Sequence, residues 1–200
     1  MQNNPSGMET LDAIILAGGQ ATRMGGVDKG LVLWRGLPLV EHVLASLRRQ
    51  QQVAVRSVWI SANRHLETYQ KLDVSGVVKD GLPDFPGPLA GIMAASQMSD
   101  ADWFLIVPCD SPCLPDDLLS CLWASRIPHG VAVAVTGNPD SPDWQAAVCL
   151  AHRDSLPVLA ERLHAGKRSL MGWQQSVPHQ LCHFDQADRF ANFNTLEELE

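Results

Sequence analysis

Between Leu16 and Lys29 the chain packs Gly18, Gly19, Gly25 and Gly26 around two cations, Arg23 and Lys29. Glycine lacks a Cβ, so backbone N–H groups there can close on an anion and the chain can take positive φ, while the arginine and lysine supply balancing charge. The chemistry this suits is cradling the phosphates of a nucleoside triphosphate. There is no G-x-G-x-x-G fingerprint, and Lys29 is followed by Gly30 where a Walker A lysine needs Ser or Thr. Neither a dinucleotide fold nor a P-loop ATPase is therefore implied, and the competing reading is a glycine-rich turn with two solvated cations.

Further polar groups stand at the ends of apolar runs. Asp110 follows Phe104-Leu105-Ile106-Val107 and offers a hard oxygen to magnesium, which commonly takes one or two carboxylates and fills its other positions with phosphate oxygens and water. A helix N-cap ahead of the segment 112–115 is its competing role. Asn63 brings a donor and an acceptor, and Asp80 an acceptor only, a pair able to read a base edge or a ribose, with ordinary turn chemistry as the alternative. Pro86-Gly87-Pro88-Leu89-Ala90-Gly91 joins stiff and small residues before a helix, a wall against which a flat base can lie. The seven histidines are scattered without an H-E-x-x-H pairing or a nearby carboxylate, and are assigned no catalytic role. The six tryptophans form no stripe with interleaved basic residues and are assigned to packing.

The elements that must position these groups alternate. Residues 11–17 are almost continuously apolar, the mark of a parallel strand covered on both faces, and end at the glycine loop. A short segment at 31–35, a turn at Gly36 and a helix at 38–50 follow, with Leu39, Val43, Leu44 and Leu47 at helical spacing. Strands are expected at 55–62, 74–79 and 102–107, with helices at 66–72 and 89–98 between them. The second half is less regular: a helix at 115–124, strands at 130–136 and 145–151, a helix at 153–164 interrupted near Pro157, a strand at 180–184, and a last helix at 196–200 capped by Thr195 with Glu198 at capping-box spacing. Strands alternating with helices imply an α/β fold, a single Rossmann-like domain with a mostly parallel central sheet flanked by helices. Residues 1–10 are expected to be a disordered tail and 11–200 the domain, its nucleotide-binding half at about 11–110 and a second half at about 111–200. In such sheets ligands bind outside the carboxyl ends of the strands, where Gly18, Gly19, Asn63, Asp80 and Asp110 all fall.

Composition narrows the classes. The chain has 200 residues, 46% hydrophobic and 18% charged, enough for one well-buried core. A net charge of −7 argues against a nucleic-acid footprint, which needs clustered Lys and Arg. No cationic, apolar leader opens the chain and no apolar run approaches the ~18–20 residues needed to cross a bilayer, so a cytoplasmic protein without membrane contact is expected. Five cysteines without C-x-x-C spacing read as reduced core residues rather than disulfides or zinc ligands.

Taken together, Leu16-Ala17-Gly18-Gly19, the run from Arg23 to Lys29, Ala62-Asn63-Arg64, Asp80, the run from Pro86 to Gly91, Pro108-Cys109-Asp110 and Asn192-Phe193-Asn194-Thr195 resemble the molybdenum cofactor guanylyltransferases collinearly. The resemblance implies an enzyme that joins GMP from GTP to molybdenum-loaded molybdopterin and releases pyrophosphate. It implies nucleotide contacts from Leu16, Ala17, Gly18, Gly19, Arg23, Gly26, Lys29, Asn63, Asp80, Gly87 and Asp110. Catalytic roles fall to Arg23, Lys29 and Asp110, and Asp110 binds magnesium, with manganese as an alternative ion. Pterin contacts fall to Asn192 and Asn194, for which turn and cap chemistry is the competing role. Transient partners would be cofactor-delivery proteins and apo-molybdoenzymes. The sequence departs from the family at Asp143-Trp144-Gln145-Ala146, which lacks the Pro-Thr or Pro-Leu step common there. A molybdopterin cytidylyltransferase, a sugar-phosphate nucleotidyltransferase and a non-catalytic nucleotide or pterin carrier are the alternative functions.

Overall fold

The computed structural model describes residues 9–18, 28–80 and 87–193. Gly19, Arg23, Gly26, Asn194, the expected last helix and most of the expected N-terminal tail lie outside them. The sheet is built from β1 (Leu11–Leu16), β4 (Ser57–Ser61), β5 (Gly76–Val78), β6 (Trp103–Pro108), β7 (Val131–Asn138), β8 (Ser141–His152) and β9 (His179–His183). These seven strands lie in the order β5-β4-β1-β6-β8-β7-β9. β1 pairs in parallel with both β4 and β6, and β4 in parallel with β5. β8 is antiparallel to β6 and to β7, and β9 is parallel to β7, so β8 alone runs against the rest. The mostly parallel α/β sheet expected from the sequence is what forms.

Alternation along the strands sorts side chains into two cores. Ala13 and Ile15 face a layer holding Val40, Val43, Leu44 and Leu47 of α1 (Leu39–Arg49) and Leu118, Leu119 and Leu122 of α4 (Leu118–Ala124). Ile14, Phe104 and Ile106 face Leu89 and Ile92 of α3 (Pro88–Gln97) and Leu159 of α5 (Leu156–His164). β1 is covered on both faces, which is why it reads as a continuous apolar run.

Several local departures have plain causes. The segment expected at 31–35 is a hairpin, β2 (Leu33–Trp34) against β3 (Leu37–Pro38). Its turn residues Arg35 and Gly36 both have positive φ, the backbone that suits a two-residue hairpin. Pro157 does not interrupt a helix: residues Arg153–Ser155 form a separate 3-10 turn, and Pro157 sits in the first turn of α5, where its missing N–H costs nothing. α6 (Leu170–Gln174), too short for a periodic signature, starts where the Ser169 hydroxyl accepts the Gly172 N–H. β7 and β8 extend into an exposed hairpin beyond their apolar cores. Glu9 and Thr10, assigned above to the tail, are held in place. Thr10 donates from N and Oγ1 to Asp102, both at 2.8 Å, and Glu9 accepts the Trp103 indole N–H at 3.0 Å.

Candidate active site

Strand order makes the crevice. From β1 the chain passes to β4 and β5 on one side and returns through α3 to β6 on the other, so the switch point lies at the carboxyl end of β1. Single backbone bonds carry the strands into the loops there: Ala17 N–H donates to Ser61 O at 2.8 Å, Cys109 N–H to Leu16 O at 3.1 Å and Ala62 N–H to Val78 O at 2.9 Å. These bonds fix where Gly18, Asn63, Asp80 and Asp110 emerge.

Lys29 enters this edge from a 3-10 turn, Lys29–Leu31, whose N-cap is Asp28. Its Nζ stands 3.2 Å from Asp110 Oδ2, and the two side chains are 27% and 14% exposed. Asp110 does not cap a helix, since α4 begins only at Leu118 with Asp117 before it, which removes the competing role. The Asp110 carbonyl accepts the Phe193 N–H at 3.0 Å, and Asn192 Oδ1 accepts the Ser111 hydroxyl at 2.6 Å. Asn192 is thereby carried from the far end of the chain to the Asp110 loop.

On the other side of β1, Asn63 and Asp80 lock the ends of β4 and β5 together. Asn63 Nδ2 donates to Asp80 Oδ2 at 2.7 Å, and the Asp80 N–H donates to Asn63 Oδ1 at 3.3 Å. Asp80 shares a cleft of about 160 Å³ with Leu16, Gly18, Ser61, Gly87, Pro88 and Gly91. Ser61 is a member that no sequence motif marks, and Gly91, part of the small-residue run that opens α3, has its reason in packing. Ser61 was hidden as a strand residue, yet it is the last of β4 and so opens onto the edge. Gly91 lies in α3, where a Cβ would collide with the Ser61 hydroxyl; its lack of a side chain lets helix and strand end close around the cleft. Gly87, at φ 88°, opens α3 ahead of Pro88 and lies against Arg168.

As a metal site the described residues of this edge offer the Asp110 carboxylate beside a lysine, the Asp80 carboxylate on the other side of β1 being engaged by Asn63. A single hard oxygen with room for phosphate oxygens and water fits a magnesium-class ion and fits poorly a softer ion that needs imidazole or thiolate. Cys109, the neighbouring thiol, is buried, and burial pushes its pKa well above the ordinary value, so it stays a neutral packing group. All five cysteines are unpaired, and three are buried. The histidines need one correction. His129, His152 and Asp154 meet with His129 Nδ1 2.6 Å from Asp154 Oδ2, a cluster that their spacing in the sequence conceals. It forms at the opposite end of the sheet, since His152 pairs with Trp103 at the start of β6.

A crevice at the carboxyl edge of a mostly parallel sheet, with a lysine and an aspartate in contact beside a small-residue cleft, fits an α/β nucleotide-handling protein. Comparison with known proteins agrees. The family model described as "MobA-like NTP transferase domain" matches residues 13–179. The molybdenum cofactor guanylyltransferase of Bordetella pertussis is 40% identical over 191 residues, covering 94% of each chain. The chain belongs to the molybdenum cofactor guanylyltransferase family within the MobA-like NTP transferases. Among solved structures, molybdopterin-guanine dinucleotide biosynthesis protein A of Archaeoglobus fulgidus superposes with a TM-score of 0.67 at 18% identity over 94% of both chains. The 4-diphosphocytidyl-2C-methyl-D-erythritol synthase of Anaerococcus prevotii superposes with a TM-score of 0.73 at 12% identity, covering 96% of this chain and 93% of that one. These two share the fold. Among the described residues, no helix is long and apolar enough to cross a membrane.

Proposed function

We propose that this chain transfers the GMP moiety of GTP to the terminal phosphate of molybdenum-loaded molybdopterin, forming the dinucleotide cofactor and pyrophosphate. The observation that carries the reading is the Lys29–Asp110 pair at the switch-point edge, next to the cleft that holds Asp80, Gly18 and Ser61. A pterin phosphate oxygen attacks the α-phosphorus of GTP. The bond from that phosphorus to the β-phosphate bridging oxygen breaks, and its electron pair leaves with pyrophosphate. The attacking phosphate is anionic at neutral pH, so no protein base or nucleophile is required, and catalysis rests on positioning and charge.

Each residue then has a defined task. Leu16, Ala17 and Gly18 bring backbone to the nucleotide, and Gly19 and Gly26 continue that loop. Lys29, with Arg23, counters charge on the departing pyrophosphate; on binding, the Lys29 ammonium exchanges its contact with Asp110 for phosphate oxygens. Asp110 would hold magnesium, or manganese, which when bound neutralises phosphate charge. Asp80, oriented by Asn63, accepts from the N–H groups of the guanine edge, and Gly87 and Pro88 wall the base. Asn192 and Asn194 hold the pterin. In this reading the reaction is cytoplasmic and its product passes to apo-molybdoenzymes through transient contacts with delivery proteins.

The test is pyrophosphate release by the purified chain with magnesium and molybdenum-loaded molybdopterin, comparing GTP, CTP and ATP and omitting the pterin as control. Pterin-dependent release with GTP alone is expected. Preference for CTP would move the chain to cytidylyl transfer, and tight nucleotide binding without release would favour a carrier.

A further inference from the structure

Behind Lys29 lies a junction that the transfer reaction, as outlined above, does not use. Tyr69, the only tyrosine of the chain, is fully buried on the one-turn helix α2 (Leu66–Tyr69). Its hydroxyl donates to Asp28 Oδ1 at 2.6 Å, and the same oxygen accepts the Gly30 N–H at 3.2 Å. Asp28 is itself buried. Gly30 comes so close that a Cβ there would lie 2.5 Å from the Tyr69 hydroxyl oxygen and 3.2 Å from Cys109 Sγ. Three pieces of chain thus meet at one point: α2, the turn that carries Lys29, and the end of β6 that carries Asp110.

Lysine is a point charge on a flexible four-carbon stem, so the place its ammonium samples depends on where its backbone starts. Among the described residues, the Gly30 N–H and the Tyr69 hydroxyl are the two groups that grip the Asp28 carboxylate that sets the turn. Burial, with the nearby Cys109 and Asp28, raises the Tyr69 pKa far above the ordinary phenol value, so the hydroxyl remains a donor at every working pH.

We propose that Tyr69 is a positioning residue for nucleotidyl transfer: through Asp28 its hydroxyl fixes the turn that presents Lys29 to the phosphates opposite Asp110. The kinetic part rests on the function proposed above; the structural part does not. The Tyr69→Phe variant keeps the ring in the core and removes only the hydroxyl. The expected result is a fall in kcat of about tenfold with the KM for GTP nearly unchanged, because misplacement of a group acting on the transition state costs rate rather than ground-state binding. In the Lys29→Ala background the same change should have no further effect, since the hydroxyl acts through the lysine. Asp28→Asn, which keeps an acceptor oxygen, should retain more rate than Asp28→Ala. An unchanged kcat in Tyr69→Phe, or a loss that adds fully to that of Lys29→Ala, overturns the proposal. A second readout needs no activity: the Lys29 Cε resonance of the ligand-free protein, assigned by its disappearance in Lys29→Ala, should move in Tyr69→Phe. A resonance that stays in place overturns the proposal whatever the substrate proves to be, whereas a moved resonance without GTP turnover would count only against the function.

Discussion

At the amino end of β1, Asp12 is 0% exposed and accepts from Arg56 Nε and Nη2 at 2.9 and 3.1 Å, from the Trp59 indole at 3.2 Å and from the Ser99 hydroxyl at 2.6 Å. At the carboxyl end of β6, Asp110 meets the Lys29 ammonium at 3.2 Å. Both are aspartates at the ends of central strands, paired with a cation. The first, on β1, is wrapped by donors contributed from the start of β4, from β4 itself and from the turn before β6, and it ties the ends of those strands together. The second faces a crevice beside a cation on a flexible stem that can give way to phosphate. A carboxylate saturated by fixed donors is structural, and one left with an exchangeable partner is available to a ligand.

Substitution at the two aspartates should give opposite phenotypes. Asp110→Asn should lower GMP transfer on the order of 10²-fold or more, since a neutral amide is a poor magnesium ligand, while the urea midpoint barely moves. Equal losses of activity and stability would mean that Asp110 belongs with Asp12. Asp12→Ala should do the reverse, costing about 3 kcal/mol of folding free energy because buried donors lose their acceptor, with kcat per folded molecule preserved. Chemical denaturation followed by an assay on the folded fraction separates the two.

Smaller changes sharpen the contrast within each end. Lys29→Ala should lower kcat by tens-fold, roughly, if the ammonium acts on charge developing in the transition state; an effect confined to KM would assign it to uniform binding. Asp80→Asn should raise the KM for GTP about tenfold and narrow the preference over CTP, in line with loss of a charged hydrogen-bond acceptor. A substitution that weakens all nucleotides equally would place Asp80 in turn structure alone.

The smallest effect belongs to the amino end again. Burial of Asp102 works to raise its pKa, but hydrogen bonds from the Thr10 N–H and hydroxyl, with help from His152 and Arg153, win and hold it below the usual carboxylate value. A carboxyl depressed in the folded state adds stability that is present above its unfolded pKa of ~3.9 and is lost as pH falls through the folded value. Because the group is partly exposed, the contribution should stay below about 1 kcal/mol. Comparing wild type with Asp102→Asn, the stability difference should persist at neutral pH and shrink on acidification below about pH 4. A difference that grows instead would reverse the sign assigned to this group.

Much of the candidate site is legible in residue order alone. A covered parallel strand announces itself as an apolar run, and polar residues directly after such runs fall at one edge by topology, so Gly18, Asn63, Asp80, Asp110 and Lys29 stand out along the chain as candidates for one site. Ser61 does not, because the last residue of a strand looks like any other small residue until the loop beyond it opens. Gly91 is visible as part of a motif, but its reason is packing against Ser61.

Residue order is enough for the class: strands alternating with helices, glycines with two cations after the first strand, and a collinear set of motifs, all of them local patterns set by periodicity and backbone freedom. Tertiary structure alone decided which charges meet. Lys29 finds Asp110 across 81 residues, Tyr69 reaches Asp28 across 41 and Ser111 reaches Asn192 across 81. Spacing along a chain carries no record of such meetings, because they are fixed by strand order and by the close approach of three chain segments around Gly30.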